Sequence, residues 1–528
     1  MPPDPDARST APDTPPGGWA PASEGRRLLA AALSALVPGL GQAYEGRLAA
    51  AALLFAPVVL IAVGLGLIVG TTPLPELAGS LVLPSTITVL LVANIALLAW
   101  RILAVVDAWR GGRRQRAERT TGSTGRDRGT AGALGVLALV AILAFVSVPH
   151  ALAGWYGASA STAVARIFTA EDGDPFDLPA GTPGATLAAD ANAIVDAPAL
   201  PSPEPTGSRS PMASATPAPS PSPSTSPTPT PLDARVNILL LGFDSGPGRA
   251  QTLTDTMMVV SLDPVGRTVS MISVPRDTVN VPLGDGHVFG PKLNSLIGFA
   301  QRNPGAFGDR SPIRVLKDAL GELLGIKIRY YASVDLPGFV KVIDAIGGVG
   351  VYVKEALNDG HYREYGFNGF SIDAGCHHLD GISALAFARI RYSIGQNDFT
   401  RAGRQQQVLV AARDQVVREG LLLDIPRLLD ALGSTVRTDI PPELVPRLAE
   451  YASGIDQHDV AQAVITWPLV ASGMNGYGSV LLPDLAAIRL VADGLFTQPG
   501  TAPVGWPAPT PTPTTASGKA KQPPPVCP

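Results

Sequence analysis

The sequence predicts an α/β domain carried behind an N-terminal helical transmembrane region, and three observations lead there. The chain is 528 residues long, only 16% of it is charged and its mean hydropathy is +0.22, whereas an ordinary soluble domain is roughly 25% charged. Its first third holds three apolar stretches of spanning length, at about 48–70, 84–107 and 131–153. From Arg235 onward, apolar strand-like runs alternate with turn signals. Together these exclude a simple cytosolic enzyme, an acidic disordered regulator and a coiled-coil rod. A net charge of -4 argues against a nucleic-acid binder acting through overall charge.

Residues 1–25 are rich in Pro, Ala and Asp and carry no cleavable signal pattern, so they read as a disordered cytoplasmic N-terminus. The membrane region is 26–155. Its first apolar stretch, 28–44, is broken by Pro38-Gly39-Leu40-Gly41 and reads as a re-entrant or interfacial piece rather than a span. The connector 110–128 carries seven arginines against Glu118 and Asp127, which marks the cytoplasmic side. Arg26, Arg27 and Arg47 then also lie inside, the stretch 131–153 exits, and everything after it is expected on the extracytoplasmic face of a multi-pass cell-membrane protein.

Between 172 and 233 the periodicity vanishes. Eleven prolines between 201 and 231, spaced by Ser and Thr, suggest a semi-extended spacer, whose reach at about 3.1 Å per residue would be on the order of 100 Å. This stretch reads as a passive tether, and 498–528 as a disordered tail of similar composition. Cys376 and Cys527 are too few for a disulfide framework, and the second sits in that tail.

The α/β pattern begins with Val236–Leu241, an apolar run expected of a strand buried on both faces, ending at Gly242 and Asp244. A loop containing Gly246-Pro247-Gly248-Arg249 leads to Asp255 and a second strand, Thr256–Leu262. The turn Asp263-Pro264-Val265-Gly266 and a third strand, Thr268–Val274, follow, ending in Pro275-Arg276-Asp277-Thr278. The second and third strands form a hairpin. Asp244, Arg249, Asp255, Arg276 and Asp277 are therefore expected to converge at one end of the sheet, where open α/β sheets place ligands. Two carboxylates suit a hard cation such as Mg²⁺, and arginines suit phosphate oxygens.

Further on, Leu379, Ile382, Leu385 and Ala386 form one helical stripe that Arg389 continues, so its guanidinium is expected to point inward and meet an anion, either an internal Asp or a bound ligand. Arg391 follows. Asn397-Asp398-Phe399-Thr400 reads as a helix start, with Arg401, Arg404, Gln405 and Val408 on one face of the next helix. Cys376-His377-His378 reads as a loop, because adjacent side chains rarely ligate one zinc ion together. The stretch 421–497 reads as a helix-rich packing extension without chemistry.

Seven ordered motifs between about 235 and 420 resemble the LytR-CpsA-Psr family of bacterial cell-envelope phosphotransferases. They are Leu241–Arg249; Thr254–Met258; Ser273–Thr278; Lys292-Leu293-Asn294; Asp344 with Gly347-Gly348-Val349; Leu379-Asp380-Gly381 with Ala384-Leu385; and Arg389-Ile390-Arg391 with Asp398–Arg401, leading into Arg404-Gln405-Gln406. The resemblance implies a three-layer domain over 234–420, with a central mixed β-sheet flanked by helices. It also implies an enzyme that moves a glycopolymer phosphate from a polyprenyl-pyrophosphate carrier to a peptidoglycan hydroxyl. Asp244 and Asp255 would hold Mg²⁺ or a similar divalent cation. Arg276, Arg389, Arg391 and Arg401 would clamp the pyrophosphate with Lys292 and Gln405 in support, and Asp277 or Asp398 would accept the hydroxyl's proton. Leu253 stands where many members carry arginine, and Arg249 is available to supply that charge. The alternatives are a hydrolase acting on the same lipid pyrophosphate and a non-catalytic lipid-glycan binding or regulatory protein. The membrane bilayer is an expected partner and nucleic acid is not.

Overall fold

The structure, a computed structural model, describes residues 24–119, 132–170, 172–173, 193–196, 235–244, 253–418, 432–433, 435–455, 459–497 and Cys527. The chain divides into two compact units: 1–71 with 88–158, and 72–87 with 159–528.

The first unit is helical. Helices α1 (Glu24–Leu36) and α2 (Leu40–Tyr44) form a tight pair broken at Pro38-Gly39, where Gly39 adopts φ 96°. That left-handed backbone is open to glycine and closed to most other residues. The pair is held by polar groups: fully buried Gln42 donates to the Ala104 carbonyl at 2.9 Å, and Arg47 meets Asp107 at 2.8 Å. Three longer helices follow, α3 (Leu48–Thr71), α5 (Pro84–Arg119) and α6 (Ala133–Ile167), each with a segment long and apolar enough to cross a membrane. α5 extends through Arg119, so the first half of the stretch expected as a connector, 110–128, is helical instead. Arginine is a good helix former, and Gly111-Gly112 alone does not stop the helix. The residues 120–131 lie outside the described ones.

The second unit is an α/β domain. Its six-stranded mixed sheet runs β12-β7-β2-β3-β4-β13. In chain order the strands are β1 (Ile194–Asp196), β2 (Val236–Phe243), β3 (Thr254–Asp263), β4 (Thr268–Val274), β5 (Val281–Pro282), β6 (His287–Phe289), β7 (Tyr330–Asp335), β8 (Val349–Val353), β9 (Leu357–Asp359), β10 (Phe370–Ile372), β11 (Gly375–Leu379), β12 (Val436–Thr438), β13 (Val460–Val464), β14 (Val470–Asn475) and β15 (Gly478–Pro483). The helices are α4 (Leu74–Ser80), α7 (Leu296–Arg302), α8 (Pro312–Leu324), α9 (Leu336–Ala345), α10 (Gly381–Arg389), α11 (Asp398–Arg418), α12 (Val445–Ser453) and α13 (Leu485–Thr497).

The period of two in β2 sorts its side chains to two faces. Leu239, Leu241 and Phe243 enter one core with Leu316 and Leu320 of α8 and Ile488 of α13. Leu240 turns the other way, toward Met258, Met271 and Leu409 of α11. The expected hairpin is β3–β4, with Met257 opposite Val274.

Three sequence expectations are corrected here. First, the described residues of 421–497 contribute strands to the sheet and are not a helix-rich appendage. β12 closes one edge, β13 closes the other in parallel with β4, and β14–β15 form a hairpin. Second, the described residues of 172–233, namely 172–173 and 193–196, pack on the domain, and the rest of the expected tether lies outside the described residues. Just past α6, the Thr169 amide donates to the Thr438 carbonyl at 2.8 Å, and Asp172 pairs with buried Lys317. Ile194 then pairs with Phe289 of β6. The proline-rich run lies outside the described residues, and its described flanks, Asp196 and Arg235, both belong to the domain. Deleting 206–225 is therefore expected to change folding stability by less than about 1 kcal/mol, because loop entropy varies only logarithmically with length. A thermal melt of the full chain checks this. Third, Cys376-His377-His378 is not a loop. It lies in β11, paired with β8, and Cys376 is disulfide-bonded to Cys527 across 151 residues.

Candidate active site

Local structure explains how the charged residues meet. β4 delivers Pro275-Arg276-Asp277 at the same sheet end from which β3 departs with Asp255. The segment Lys292-Leu293-Asn294 is the brace for that corner: the Leu293 amide donates to the Thr278 carbonyl at 2.8 Å, and the Asn294 amide to the Arg276 carbonyl at 3.2 Å. Asp380 caps α10 through the Ser383 amide at 2.8 Å, while Asp344 accepts from the Gly381 amide at 2.7 Å. These contacts fix the helix whose last residue is Arg389. The Asn397 side chain caps α11, accepting from the Phe399 and Thr400 amides at 3.0 Å each.

At the sheet end, guanidinium and carboxylate groups interleave. Arg276 Nη1 donates to Asp255 Oδ1 at 2.6 Å. Arg389 is the hub: its Nη2 lies 3.4 Å from Asp244 Oδ1, its Nη1 3.9 Å from Asp255 Oδ2, and its Nε 3.1 Å from Glu364 Oε2. Arg391 Nη2 and Arg401 Nη1 both hold Asp398 Oδ1, at 2.9 Å and 3.0 Å. Lys292 sits 2.8 Å from Asp277 Oδ1, and Arg276 Nε is 3.9 Å from Asp277 Oδ2. Gln405 reaches the Ala388 carbonyl at 3.4 Å.

Burial alone would lower the Arg276 pKa, but Asp255 beside it, with Asp277 and Asp398, raises it above the ordinary guanidinium value. Arg401 is more isolated. Burial pushes it down to about 10, opposed by Asp398 and reinforced by the positive charges of Arg391 and Arg276. A group in that setting gains most from an additional anion.

A cavity of about 400 Å³ starts among these groups and runs across the sheet beneath α9, α10 and α11. Asp244, Asp255, Arg276, Arg389, Arg391, Arg401 and Gln405 line its charged end, over β3 and β4. Toward β7 and β12 the wall becomes apolar, with Leu240, Val334, Phe339, Val342 and Val436. The one carboxylate at that end among the described residues, Asp335, caps α9 by accepting from the Gly338 amide at 2.7 Å. Leu432 also lines the apolar end, and a Cβ on the adjacent Gly433 would meet Ala163 of α6 at 2.8 Å.

The structure thus brings Asp244, Asp255, Arg276, Arg389, Arg391, Arg401 and Gln405 to one cavity. Asp277, Asp398 and a narrow second pocket of about 20 Å³ lie behind Arg276 and Arg401. Lys292 supports Asp277 and lines neither space. Arg249 lies outside the described residues. Arg404, expected on the same face as Arg401, instead binds the Phe387 carbonyl at 2.8 Å and the Ile390 carbonyl, so it holds the α10–α11 connection and not the cavity. Helical periodicity assigns a face but not the neighbour that meets it.

Two site residues had no sequence signal. Glu364, from the loop between β9 and β10, pairs with Arg389. Asp359 is almost fully buried and accepts from the Arg391 and Tyr392 amides at 2.9 Å and 3.0 Å and from the His361 amide at 2.9 Å, which positions the strand of chain bearing Arg391. Burial would raise the Asp359 pKa, yet those three donors hold it below the ordinary aspartate value. Its stabilisation is present above the unfolded-state pKa and is lost as pH falls through the lower folded-state value. Asp359→Ala is expected to cost at least about 2 kcal/mol at neutral pH, because backbone donors are orphaned, and to flatten the acid limb. Denaturant midpoints measured against pH check both.

Fold and site define an α/β protein with a charge-paired centre at one end of an apolar cavity, suited to a ligand that is anionic at its head and hydrocarbon behind. Comparison with known proteins places it more narrowly. A profile of the LytR_cpsA_psr family matches residues 209–486, more than half of the chain, and the chain belongs to that family. It is 34% identical over 206 residues to a protein of Oceanobacillus iheyensis named polyisoprenyl-teichoic acid–peptidoglycan teichoic acid transferase TagU, covering 39% of this chain and 59% of that protein. It is 32% identical over 212 residues to regulatory protein MsrR of Staphylococcus aureus, covering 40% of this chain and 58% of that one. The chain therefore spans about three-fifths of the length of these curated relatives. The crystal structure of B. subtilis TagV superposes with a TM-score of 0.39 and 25% identity, over 50% of this chain and 98% of that one.

Proposed function

We propose that this protein is a membrane-anchored phosphotransferase that moves a glycopolymer phosphate from a polyprenyl-pyrophosphate carrier to a peptidoglycan hydroxyl. The observation that carries this reading is the two-part cavity: guanidinium groups at one end and hydrocarbon walls through the rest. A diphosphate on an isoprenoid chain has that division, and bidentate guanidinium–phosphate pairing suits the charged end. The names of relatives such as TagU support the substrate class.

Charge balance favours a divalent cation beside the diphosphate. Arg276, Arg389, Arg391 and Arg401 now answer Asp244, Asp255, Glu364 and Asp398. An incoming diphosphate would take the guanidinium groups and leave the carboxylates in excess. Asp244 and Asp255 both reach toward one Arg389 guanidinium, so their oxygens already converge on a positive charge. Among the described residues no cluster of three or more metal-ligating side chains occurs, and Mg²⁺ needs only one or two carboxylates where phosphate and water complete its shell. Asp244 and Asp255 would hold Mg²⁺, which would neutralise charge on the transferring phosphoryl group.

The chain's own residues supply the remainder. Arg276, Arg389 and Arg401 hold the phosphate oxygens and stabilise the charge that develops in the transition state. Asp398 is, in this proposal, the proton acceptor of the two candidates, since both arginines converge on its Oδ1 alone, whereas Asp277 is bonded to Lys292 through Oδ1 at 2.8 Å and has Arg276 Nε 3.9 Å from its Oδ2. The acceptor O–H proton passes to Asp398 as its oxygen bonds to the sugar phosphorus. The anhydride P–O bond then breaks, and polyprenyl phosphate leaves.

Topology is consistent with this reading. If α3, α5 and α6 each cross the bilayer, the connection between α3 and α5 lies on the same side as the chain after α6, and both belong to the α/β unit. There α4 packs on α12, where a Cβ on Gly79 would lie 2.4 Å from Pro446 Cα. With the arginine-rich connector inside, that shared side is extracytoplasmic.

The deciding experiment incubates the full chain with lipid-pyrophosphoryl saccharide and peptidoglycan, with Mg²⁺ or with chelator. Saccharide phosphate linked to the wall polymer only with Mg²⁺ supports the proposal. Free saccharide phosphate identifies a hydrolase, and an unchanged donor identifies a binding protein.

A further inference from the structure

The parallel pairing of β13 with β4, Val464 beside Ser273, carries the two strands' C-terminal ends to the same edge. β4 ends at Val274 and leads through Pro275 into Arg276 and Asp277. β13 ends at the turn Thr466–Leu469, closed by the Leu469 amide on the Thr466 carbonyl at 2.8 Å, and Trp467 stands on that turn. The following hairpin reinforces the corner: the Leu481 amide donates to the Asp277 carbonyl at 3.0 Å, and the Val279 amide to the Leu481 carbonyl at 3.0 Å. The C-terminal segment thus builds one wall of the candidate site.

The narrow second pocket lies at this corner, bordered by Arg276, Asp277, Asp398, Phe399 and Leu481. Its volume of about 20 Å³ is enough for a water or a hydroxyl group and for little else. Outside it, the Trp467 ring packs edge-on against Phe399, with centroids 4.6 Å apart and planes at 75°, and its Nε1 donates to Ser472 Oγ at 3.2 Å. Trp467 is nonetheless 51% exposed. A large aromatic face that is held on its edge, has its polar atom satisfied and remains open to solvent is pre-organised for a flat, partly apolar partner. The C–H face of a pyranose ring is such a partner.

We infer that Trp467 and Phe399 form the acceptor subsite. A sugar ring of the glycan strand stacks on Trp467 while one of its hydroxyls enters the narrow pocket beside Asp398. This rests on the transferase reading and adds to it which surface receives the acceptor.

The test uses the full chain in detergent and the β-1,4-linked N-acetylglucosamine tetramer as probe, with binding followed by calorimetry. Trp467→Ala is expected to weaken tetramer binding by about tenfold or more, Trp467→Phe by much less. A soluble alkyl diphosphate should bind the wild type and both variants equally, which also shows that the variants are folded. In the transfer assay, Trp467→Ala should raise KM for the acceptor, with KM for the donor unchanged. Equal tetramer binding by wild type and Trp467→Ala, including no binding by either, overturns the subsite. Wild-type chain that binds the tetramer through Trp467 yet transfers nothing would sink the transferase reading and leave the sugar platform standing.

Discussion

Replacing Arg389 with alanine is expected to slow transfer by about 10²–10³-fold, the usual cost of removing one charged donor aimed at a developing negative charge. Arg389 contacts Asp244, Asp255 and Glu364 at once. Its loss therefore removes a proposed phosphate ligand and also leaves three carboxylates facing one another. That second effect predicts a specific signature: the variant should need a divalent cation more strongly, with its half-saturating Mg²⁺ concentration shifted downward. Arg389→Lys should rescue little, because one ammonium cannot reproduce the planar contacts to Glu364 and Asp244 together. Initial rates titrated with Mg²⁺ check these expectations. Wild-type rates in Arg389→Ala would remove this residue from the clamp.

The largest stability effect is expected away from the site, at Lys317. The residue is 2% exposed, and its ammonium is bonded to Asp439 Oδ2 at 2.8 Å and to the Arg329 carbonyl at 2.9 Å, with Asp172 as a second acid. Asp439 in turn accepts from the Tyr331 amide at 2.6 Å, so the network reaches the sheet interior. Lys317→Met keeps the stem and removes the charge, which strands a carboxylate in the core. The expected cost is about 3–5 kcal/mol. Because Asp172 lies just beyond α6, the same substitution should expose that junction to proteolysis. Denaturant midpoints and limited digestion of the full chain check both. A midpoint within experimental error of wild type would contradict the burial argument.

What the sequence revealed follows the range of its signals. The β2–β4 meander, the corner Arg276-Asp277 and the start of α11 at Asn397 rest on local patterns: apolar runs, turn residues and a cap. The structure reproduces them. Parallel pairing leaves no local mark. β13 reads Val-Ala-Gln-Ala-Val, with residues that also suit a helix, and only its distant partner β4 makes it a strand. The contribution of 421–497 to the site, Trp467 included, was therefore illegible. Glu364 and Asp359 sit in short loop-bound strands and turns where no period operates, and the partnership of Cys376 with Cys527 depends on a fold that closes 151 residues of separation. The attachment of the described flanks of 172–233 to the domain was illegible for a related reason. Composition identifies a proline-rich segment but says nothing of where its two ends are attached.

The measurement that bears most directly on the two-part cavity is the affinity of the detergent-solubilised chain for a polyprenyl diphosphate compared with inorganic diphosphate. Burying isoprene units against Leu240, Phe339 and Val342 should make the lipid bind at least about a hundredfold more tightly. Val342→Trp, which fills the apolar end, should erase that advantage and leave inorganic diphosphate binding unchanged. Equal affinities for the two ligands, or an advantage that survives Val342→Trp, would contradict the assignment of the cavity to a lipid diphosphate.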